Sequence, residues 1–174
     1  LIQMTDYIDI IIPRGGKNLV SLIKENAKVP VFAHLEGIVH TYIHEDADPI
    51  MVEDLVLNSK LRRPGICGAL ECLLINRNFF KKNGTNLVKK LIFNGVQIRG
   101  DKIVSKIHGV KLANDDDWGR EFLDKILAVK VTENLSMAIS HINKYNSNHT
   151  DSIITNSKKI AHQFFSKIDS AILM

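Results

Sequence analysis

Hydrophobic and polar residues follow two periods along this chain, one typical of buried strands and one of amphipathic helices. Short apolar runs rich in β-branched residues predict strands at 7–12, 29–33, 38–43, 72–75, 96–99, 126–131, 152–155 and 171–174. Apolar residues recurring every three or four positions predict helices at about 19–27, 49–62, 85–93, 134–145 and 158–168. Strands that alternate with helices predict an α/β fold with a mostly parallel or mixed sheet.

Local signals indicate where the second helix begins and ends. Asp46 or Asp48 is suited to cap it, with Pro49 in its first turn. Pro64 disfavours helical backbone at the preceding residue, so the helix should end at or before Arg63. Its predicted buried face consists of Ile50, Val52, Leu55, Val56 and Ser59.

The loop after this helix carries the candidate chemistry. Cys67 lies between Pro and Gly residues, after the amphipathic helix and before an apolar strand. Lys60, Arg62 and Arg63 are close in sequence, and cationic surroundings favour the nucleophilic thiolate form of cysteine. The alternative is that a lone cysteine packs as a small apolar residue, which is what we expect for Cys72 inside its strand.

Composition and charge exclude several classes of function. The net charge is +4, but the lysines are scattered and aromatic residues make up only 6%, so we do not expect nucleic-acid binding. No run of about eighteen apolar residues and no signal peptide is present, so we expect neither a membrane span nor export. Two cysteines spaced by five positions match neither a zinc knuckle nor a CxxC pair, which favours a reducing, cytoplasmic setting. His34, His40 and His44 lack ligand spacing, so we predict no metal site.

Ordered segments along nearly the whole chain resemble the gamma-glutamyl phosphate reductases, also called glutamate-5-semialdehyde dehydrogenases. These belong to the aldehyde dehydrogenase superfamily. The segments that carry the resemblance are residues 7–16, 34–37, 58–71, 122–131, 141–145, 149–150 and 168–171. The resemblance implies an aldehyde-dehydrogenase-like catalytic domain at 38–174, truncated at its C-terminal end. Residues 1–37 would be a remnant of the nicotinamide-cofactor-binding domain.

The resemblance also implies an activity, which is the reduction of gamma-glutamyl phosphate to glutamate 5-semialdehyde and phosphate with NADPH, on the route to proline. Cys67 matches the catalytic nucleophile, whose thiolate would displace phosphate to form a thioester. Its backbone N–H is a natural donor to the developing oxyanion. The residues implied for substrate binding are Asn58, Arg63, Glu71, His149 and Thr150. Those implied for cofactor binding are Arg14, Gly15, Gly16 and His34.

Plainer interpretations stay open for several of these residues. The Arg14, Gly15 and Gly16 segment is also consistent with a structural turn, and Glu71 with a solvated residue at the entry to a strand. His149 can order its loop instead of transferring protons.

The chain also departs from the family pattern. Leu61, Arg62 and Gly68 replace the usual residues around the cysteine loop. Asn146 and Asn148 replace two glycines, although asparagine is the residue best suited after glycine to positive φ.

Two hypotheses follow from this resemblance. In the first, the chain is an enzyme, or a part of one that acts together with a complementary fragment. In the second, it is a catalytically inactive remnant with at most a binding role. The apolar run at 7–12 predicts an edge strand through which the chain associates with itself or with such a fragment.

Overall fold

The computed structural model describes residues 1–33 and 36–174, without the side chain of Lys17. The chain divides into two compact units, Leu1–Glu36 and Gly37–Met174. The second unit contains a seven-stranded sheet in which every neighbouring pair of strands is parallel. The predicted mostly parallel sheet is therefore confirmed.

The sheet has the strand order β4-β3-β5-β2-β1-β6-β7. Because neighbouring strands are parallel, crossover connections join the strands along the chain. The strands are β1 Val39–Ile43, β2 Leu70–Asn76, β3 Gln97–Gly100, β4 Lys111–Leu112, β5 Ile126–Thr132, β6 Thr150–Ile154 and β7 Ile172–Leu173. The helices are α1 Lys17–Asn26, α2 Pro49–Leu61, α3 Arg77–Phe79, α4 Thr85–Phe93, α5 Leu135–Tyr145 and α6 Lys158–Phe165. A π-helical turn, Phe80–Gly84, joins α3 to α4, and 3-10 turns occupy Val104–Lys106 and Asp115–Gly119.

Alternate residues of the central strands pack in two separate hydrophobic clusters, because successive side chains point to opposite faces of a sheet. Leu73 and Ile75 of β2 join a cluster that contains the buried residues of α2 and α4. Cys72 and Leu74 join a second cluster that contains residues of α5 and α6 together with Trp118. The unit is thus a sheet with helices on both faces, which explains why its central strands are continuously buried.

Most predicted elements are confirmed, with ends that move by a few residues. Asp48 is the residue that caps α2, since its Oδ1 accepts hydrogen bonds from the N–H groups of Ile50 at 2.7 Å and Met51 at 3.4 Å. The predicted buried face of α2 was partly wrong. Ile50 and Leu55 are exposed, and the inward positions are Val52, Val56 and Lys60.

The predicted strands at 7–12 and 29–33 are wrong. A single parallel bridge joins Ile11 to Val31, and neither run forms a strand within the described first unit. An apolar run needs cover on both faces to become a buried strand, whereas Tyr7, Ile10 and Ile12 are exposed here. Helix α1 is as predicted, and Val20 lies on its buried side.

The parallel sheet brings the segments that precede β5, β2, β1 and β6 to one edge, because parallel strands all begin on the same side. The loop containing Cys67 precedes β2, and the segment containing His149 precedes β6. Among the described residues, no helix is both long and apolar enough to span a bilayer.

Candidate active site at the amino-terminal edge of the sheet

Cys67 is an exposed free thiol in the turn that leads into β2. The turn is closed by a hydrogen bond from the Ala69 N–H to the Ile66 carbonyl at 2.9 Å. Gly37 packs against the Cys67 backbone so closely that a Cβ at Gly37 would lie 2.0 Å from the Cys67 carbonyl oxygen. Only glycine permits this approach, so Gly37 helps to fix where the thiol is presented.

A groove of about 320 Å³ lies beside the cysteine loop. It is lined by Asn58, Ser59, Arg62, Arg63, Ile66, Gly68 and Ala69. Asn58 and Arg63, two of the predicted substrate-binding residues, therefore line one groove next to Cys67. Both arginines are exposed, and guanidinium groups bind phosphate and carboxylate through paired N–H donors. The groove is chemically suited to a small anionic substrate.

Glu71 lies beneath this loop in a buried ion pair. Its Oε2 accepts a hydrogen bond from Lys60 Nζ at 2.8 Å, and neither side chain is exposed. Its Oε1 accepts the N–H of Leu123 at 3.1 Å, which holds a residue with φ of 54°. Burial raises the pKa of Glu71 and lowers the pKa of Lys60, while the attraction between the two charges opposes both shifts. Lys60 is therefore paired away from the thiol that we expected it to activate.

Two side chains connect neighbouring segments at this edge of the sheet. Glu121 accepts the N–H of Gly37 at 2.8 Å, and Ser147 Oγ accepts the N–H of Ile38 at 2.9 Å. These contacts tie the start of β1 to the segments that precede β5 and β6. Local sequence patterns do not indicate these roles of Gly37, Glu121 and Ser147, because each acts through a partner distant in sequence.

His149 and Thr150 lie at the start of β6, and His149 Nδ1 is 2.8 Å from Thr150 Oγ1. His149 is half-buried and Thr150 is buried. Asn148 has a φ of 58°, so asparagine occupies the left-handed conformation that we expected it to tolerate. Asn146 has an extended backbone, so its position does not require the left-handed conformation. The geometry places this segment at the same edge of the sheet as Cys67, two strands away in the order β2-β1-β6.

The predicted cofactor-binding residues lie in the first unit. Gly16 is the N-cap of α1, and Gly15 has a φ of 153° with its Cα facing Leu19. Arg14 is exposed and immediately precedes this turn. His34 lies outside the described residues, so its predicted role stays a prediction.

A further polar cluster, which the sequence analysis missed, lies inside the second unit. His40, Cys72, His141 and Asp151 are all buried there. His40 Nδ1 lies at hydrogen-bond distance, 3.1 Å, from Asp151 Oδ1, and His141 Nε2 lies 3.7 Å from Cys72 Sγ. Burial lowers the pKa of His141 to about 3, with the Lys130 charge adding to the shift, so its imidazole is neutral at ordinary pH.

An exposed thiol beside an arginine-lined groove is suited to nucleophilic attack on an anionic acyl substrate. The fold that carries this site is that of the aldehyde dehydrogenases. Lactaldehyde dehydrogenase from Escherichia coli superposes on 95% of the chain with a TM-score of 0.72 at 13% identity, which shows the fold alone.

The sequence itself is similar to gamma-glutamyl phosphate reductase. The reductase of Zymomonas mobilis is 44% identical over 175 aligned residues, which include 100% of this chain and 41% of the relative. The crystal structure of gamma-glutamyl phosphate reductase from Thermotoga maritima covers 99% of the chain with a TM-score of 0.94 at 38% identity, and the match uses 42% of that structure. Along its whole length, the chain is similar to one part of these gamma-glutamyl phosphate reductases, as its sequence segments indicated.

The chain spans about two fifths of the length of the curated relatives that it matches. No family model matches it.

Proposed function

We propose that this chain is the cysteine-bearing part of an NADPH-dependent reductase that converts gamma-glutamyl phosphate to glutamate 5-semialdehyde and phosphate. The observation that carries the proposal is the exposed Cys67 thiol beside the groove that contains Arg62 and Arg63. A thiolate requires an accessible carbonyl carbon, and an acyl phosphate requires cationic donors for its phosphate. The similarity to relatives named gamma-glutamyl phosphate reductase supports the choice of substrate.

The first half of the proposed reaction takes place at Cys67. Its thiolate attacks the acyl carbon, the bond to the phosphate oxygen breaks, and inorganic phosphate leaves with the electron pair. The product is a thioester on Cys67. We propose that Arg63 and Asn58 bind the substrate in the groove, and that the backbone N–H of Cys67 donates to the carbonyl oxygen as negative charge develops.

The second half reduces the thioester. NADPH, when bound, would supply the hydride that brings the thioester carbon to the oxidation level of an aldehyde. Cys67 would then leave that carbon as a thiolate, which releases the aldehyde. We propose that His149 and Thr150 position the substrate from the start of β6. Glu71, buried and paired with Lys60, acts by holding the loop in place and does not contact the substrate.

We propose that the unit Leu1–Glu36 belongs to the cofactor-binding domain and the unit Gly37–Met174 to the catalytic domain. The start of α1 fits a cofactor phosphate, because helix N-termini present backbone N–H groups and a partial positive charge. Gly16 leaves this end of the helix uncovered, since a Cβ there would have no atom within 4 Å. Arg14 would add a charged donor to the same turn.

The test of the first half needs no cofactor. The chain is incubated with acetyl phosphate as a small acyl phosphate, and intact mass is followed with time. We expect one hydroxylamine-labile acetyl group on Cys67, absent from Cys67→Ala and retained in Cys72→Ser. The charge-neutral variant Arg63→Gln should acylate more slowly. Acylation of Cys72, or equal rates in the folded and urea-unfolded chain, would contradict the proposal.

Complementation separates this proposal from the second hypothesis, a catalytically inactive remnant. Because the chain spans about two fifths of its relatives, we expect no steady-state NADP reduction from glutamate 5-semialdehyde and phosphate by the chain alone. Adding the separately expressed remaining segments of the Zymomonas mobilis reductase distinguishes the hypotheses. Turnover that depends on Cys67 would indicate a competent catalytic part, and none would indicate a remnant.

A further inference from the structure

We propose that His40, Cys72 and His141 form a buried binding site for a divalent transition-metal ion, with zinc as the physiological candidate. One ligand atom from each residue lies within 4.8 Å of the others, and all three residues are buried. Within residues 1–33 and 36–174, this is the only cluster of three metal-ligating side chains. The site lies in the second hydrophobic cluster and plays no part in the reaction proposed for Cys67.

The sheet register places two of the ligands side by side. His40 of β1 is the direct partner of Cys72 in β2, and residues in register on neighbouring parallel strands share a face. His141 comes from α5, which packs on that face. The three ligands thus come from rigid elements, which hold a metal-binding geometry better than loops do.

Asp151 orients His40 as a metal ligand. It is the register partner of His40 on β6, and its Oδ1 accepts hydrogen bonds from His40 Nδ1 at 3.1 Å and from the His40 backbone N–H at 3.2 Å. Its other oxygen accepts the Ser170 hydroxyl. Because Nδ1 carries the proton that Asp151 accepts, the lone pair of a neutral imidazole lies on Nε2. A carboxylate that binds the distal nitrogen of a histidine in this way recurs behind the histidine ligands of metal sites.

His40 Nε2 is the second observation that indicates a ligand. It is fully buried, yet none of the described residues forms a hydrogen bond with it. Native proteins leave few buried polar atoms without a partner, because such an atom has lost its water and gained nothing in return. A metal ion between Nε2 and Cys72 would satisfy it.

The distances fit zinc or cobalt. The Cys72 Sγ and His141 Nε2 atoms are 3.7 Å apart. Bonds of about 2.3 Å to sulfur and about 2.0 Å to nitrogen, at angles of 110–120°, separate these two atoms by about 3.5–3.8 Å. All three ligand atoms already lie within 4.8 Å of one another, which is about 1 Å more than bound ligand atoms require, so a small side-chain shift completes the site. One thiolate and two imidazoles are a donor set of intermediate softness, which suits Zn²⁺ and Co²⁺ and excludes Mg²⁺ and Ca²⁺.

His141 offers Nε2 to the site, since its Nδ1 lies 3.2 Å from Lys130 Nζ on the other side of the ring. Metal binding through Nε2 places the His141 proton on Nδ1, so the contact with Lys130 opens when the ion binds.

The test compares the two cysteines of the full chain. The chain is treated with a chelator and titrated with Co²⁺, while near-ultraviolet thiolate-to-cobalt absorbance is recorded. We expect one equivalent to bind with this absorbance in the parent chain and in Cys67→Ser, which retains Cys72 alone. We expect the absorbance to be lost in Cys72→Ser. No thiolate absorbance in the parent chain, or absorbance that persists in Cys72→Ser, would overturn the proposal.

A second measurement decides the case if Cys72→Ser does not fold. X-ray absorption of zinc-loaded Cys67→Ser should show one sulfur ligand, which only Cys72 can supply, and two imidazole nitrogens. A shell of oxygen and nitrogen alone would overturn the proposal.

Asp151→Asn tests the positioning role, and we expect Zn²⁺ affinity to fall by about 10- to 100-fold while the sulfur ligand stays. Unchanged affinity would show that Asp151 does not orient a ligand.

Discussion

Replacing Glu71 with glutamine tests whether the buried ion pair supports the cysteine loop. The carboxylate contacts Lys60 Nζ at 2.8 Å and the Leu123 N–H at 3.1 Å, and the side chains of both charged residues are completely buried. Glutamine has the same shape and keeps an oxygen for Leu123. The substitution therefore removes the negative charge and little else, leaving Lys60 buried without a counter-charge.

The expected cost is about 3 kcal/mol in the free energy of unfolding, since removing one partner of a buried pair leaves an uncompensated charge. Lys60 then either stays charged without solvent or loses its proton, and burial already lowers its pKa. The double variant Lys60→Met with Glu71→Gln removes both charges. We expect it to recover most of the loss, because a pair replaced by neutral groups of similar volume is often nearly neutral.

Urea unfolding at pH 7 measures these free energies, and an unchanged m-value shows that the change lies in stability. The control is Glu53→Gln, which breaks the exposed pair between Glu53 and Lys90 and should cost less than about 1 kcal/mol. The alkylation rate of Cys67 reports on the loop in the same variants. A loss below about 1 kcal/mol in Glu71→Gln, or a double variant as unstable as the single one, would refute the reasoning.

Three further predictions follow from the structure. Gly37→Ala should slow acylation or alkylation of Cys67 by at least about tenfold, because the new Cβ would lie 2.0 Å from the Cys67 carbonyl oxygen and must displace it. An unchanged rate would show that the loop adapts. His141 has a folded-state pKa of about 3, below its unfolded value, so the free energy of unfolding should fall as pH decreases from about 6.5 towards 3. His141→Gln should flatten that slope in urea unfolding. Parallel pH profiles of the parent chain and the variant would contradict the prediction. Replacing the exposed Ile10 and Ile12 with lysine should reduce self-association in light scattering, and a parent chain that is monomeric at high concentration would remove the basis for it.

The sequence predicted most helices and strands of the second unit, for reasons that are local. Helix α5 shows the clearest case, because Leu135, Ala138, Ile139 and Ile142 recur at helical spacing and are all buried in the structure. The run that became β5 is apolar on both faces, which is the pattern of a strand covered by helices on both sides. The same rule failed at 7–12, because burial on two faces depends on neighbours that a local pattern does not reveal.

The candidate site, too, combines residues that are close together in the chain with contacts between separate elements. Cys67 was predicted as the nucleophile from its loop, and the resemblance implied Asn58 and Arg63 as substrate-binding residues. Asn58 and Arg63 line one groove because the loop and the helix end that form it are adjacent in the chain. Lys60 was misjudged, because its sequence position beside Cys67 suggested an activating charge. The structure instead pairs it with Glu71 across the start of β2.

What the sequence alone determined is most helices and strands of the second unit, the nucleophile candidate and the resemblance to gamma-glutamyl phosphate reductase, because each depends on short segments of the chain. Only the tertiary structure decided what the sheet register brings together. His40, Cys72 and Asp151 lie on three different strands, and His141 lies on a helix, so no spacing in the sequence indicates that they share one buried cluster. Parallel strands are joined by long crossovers, and the contacts between them are therefore distant in sequence.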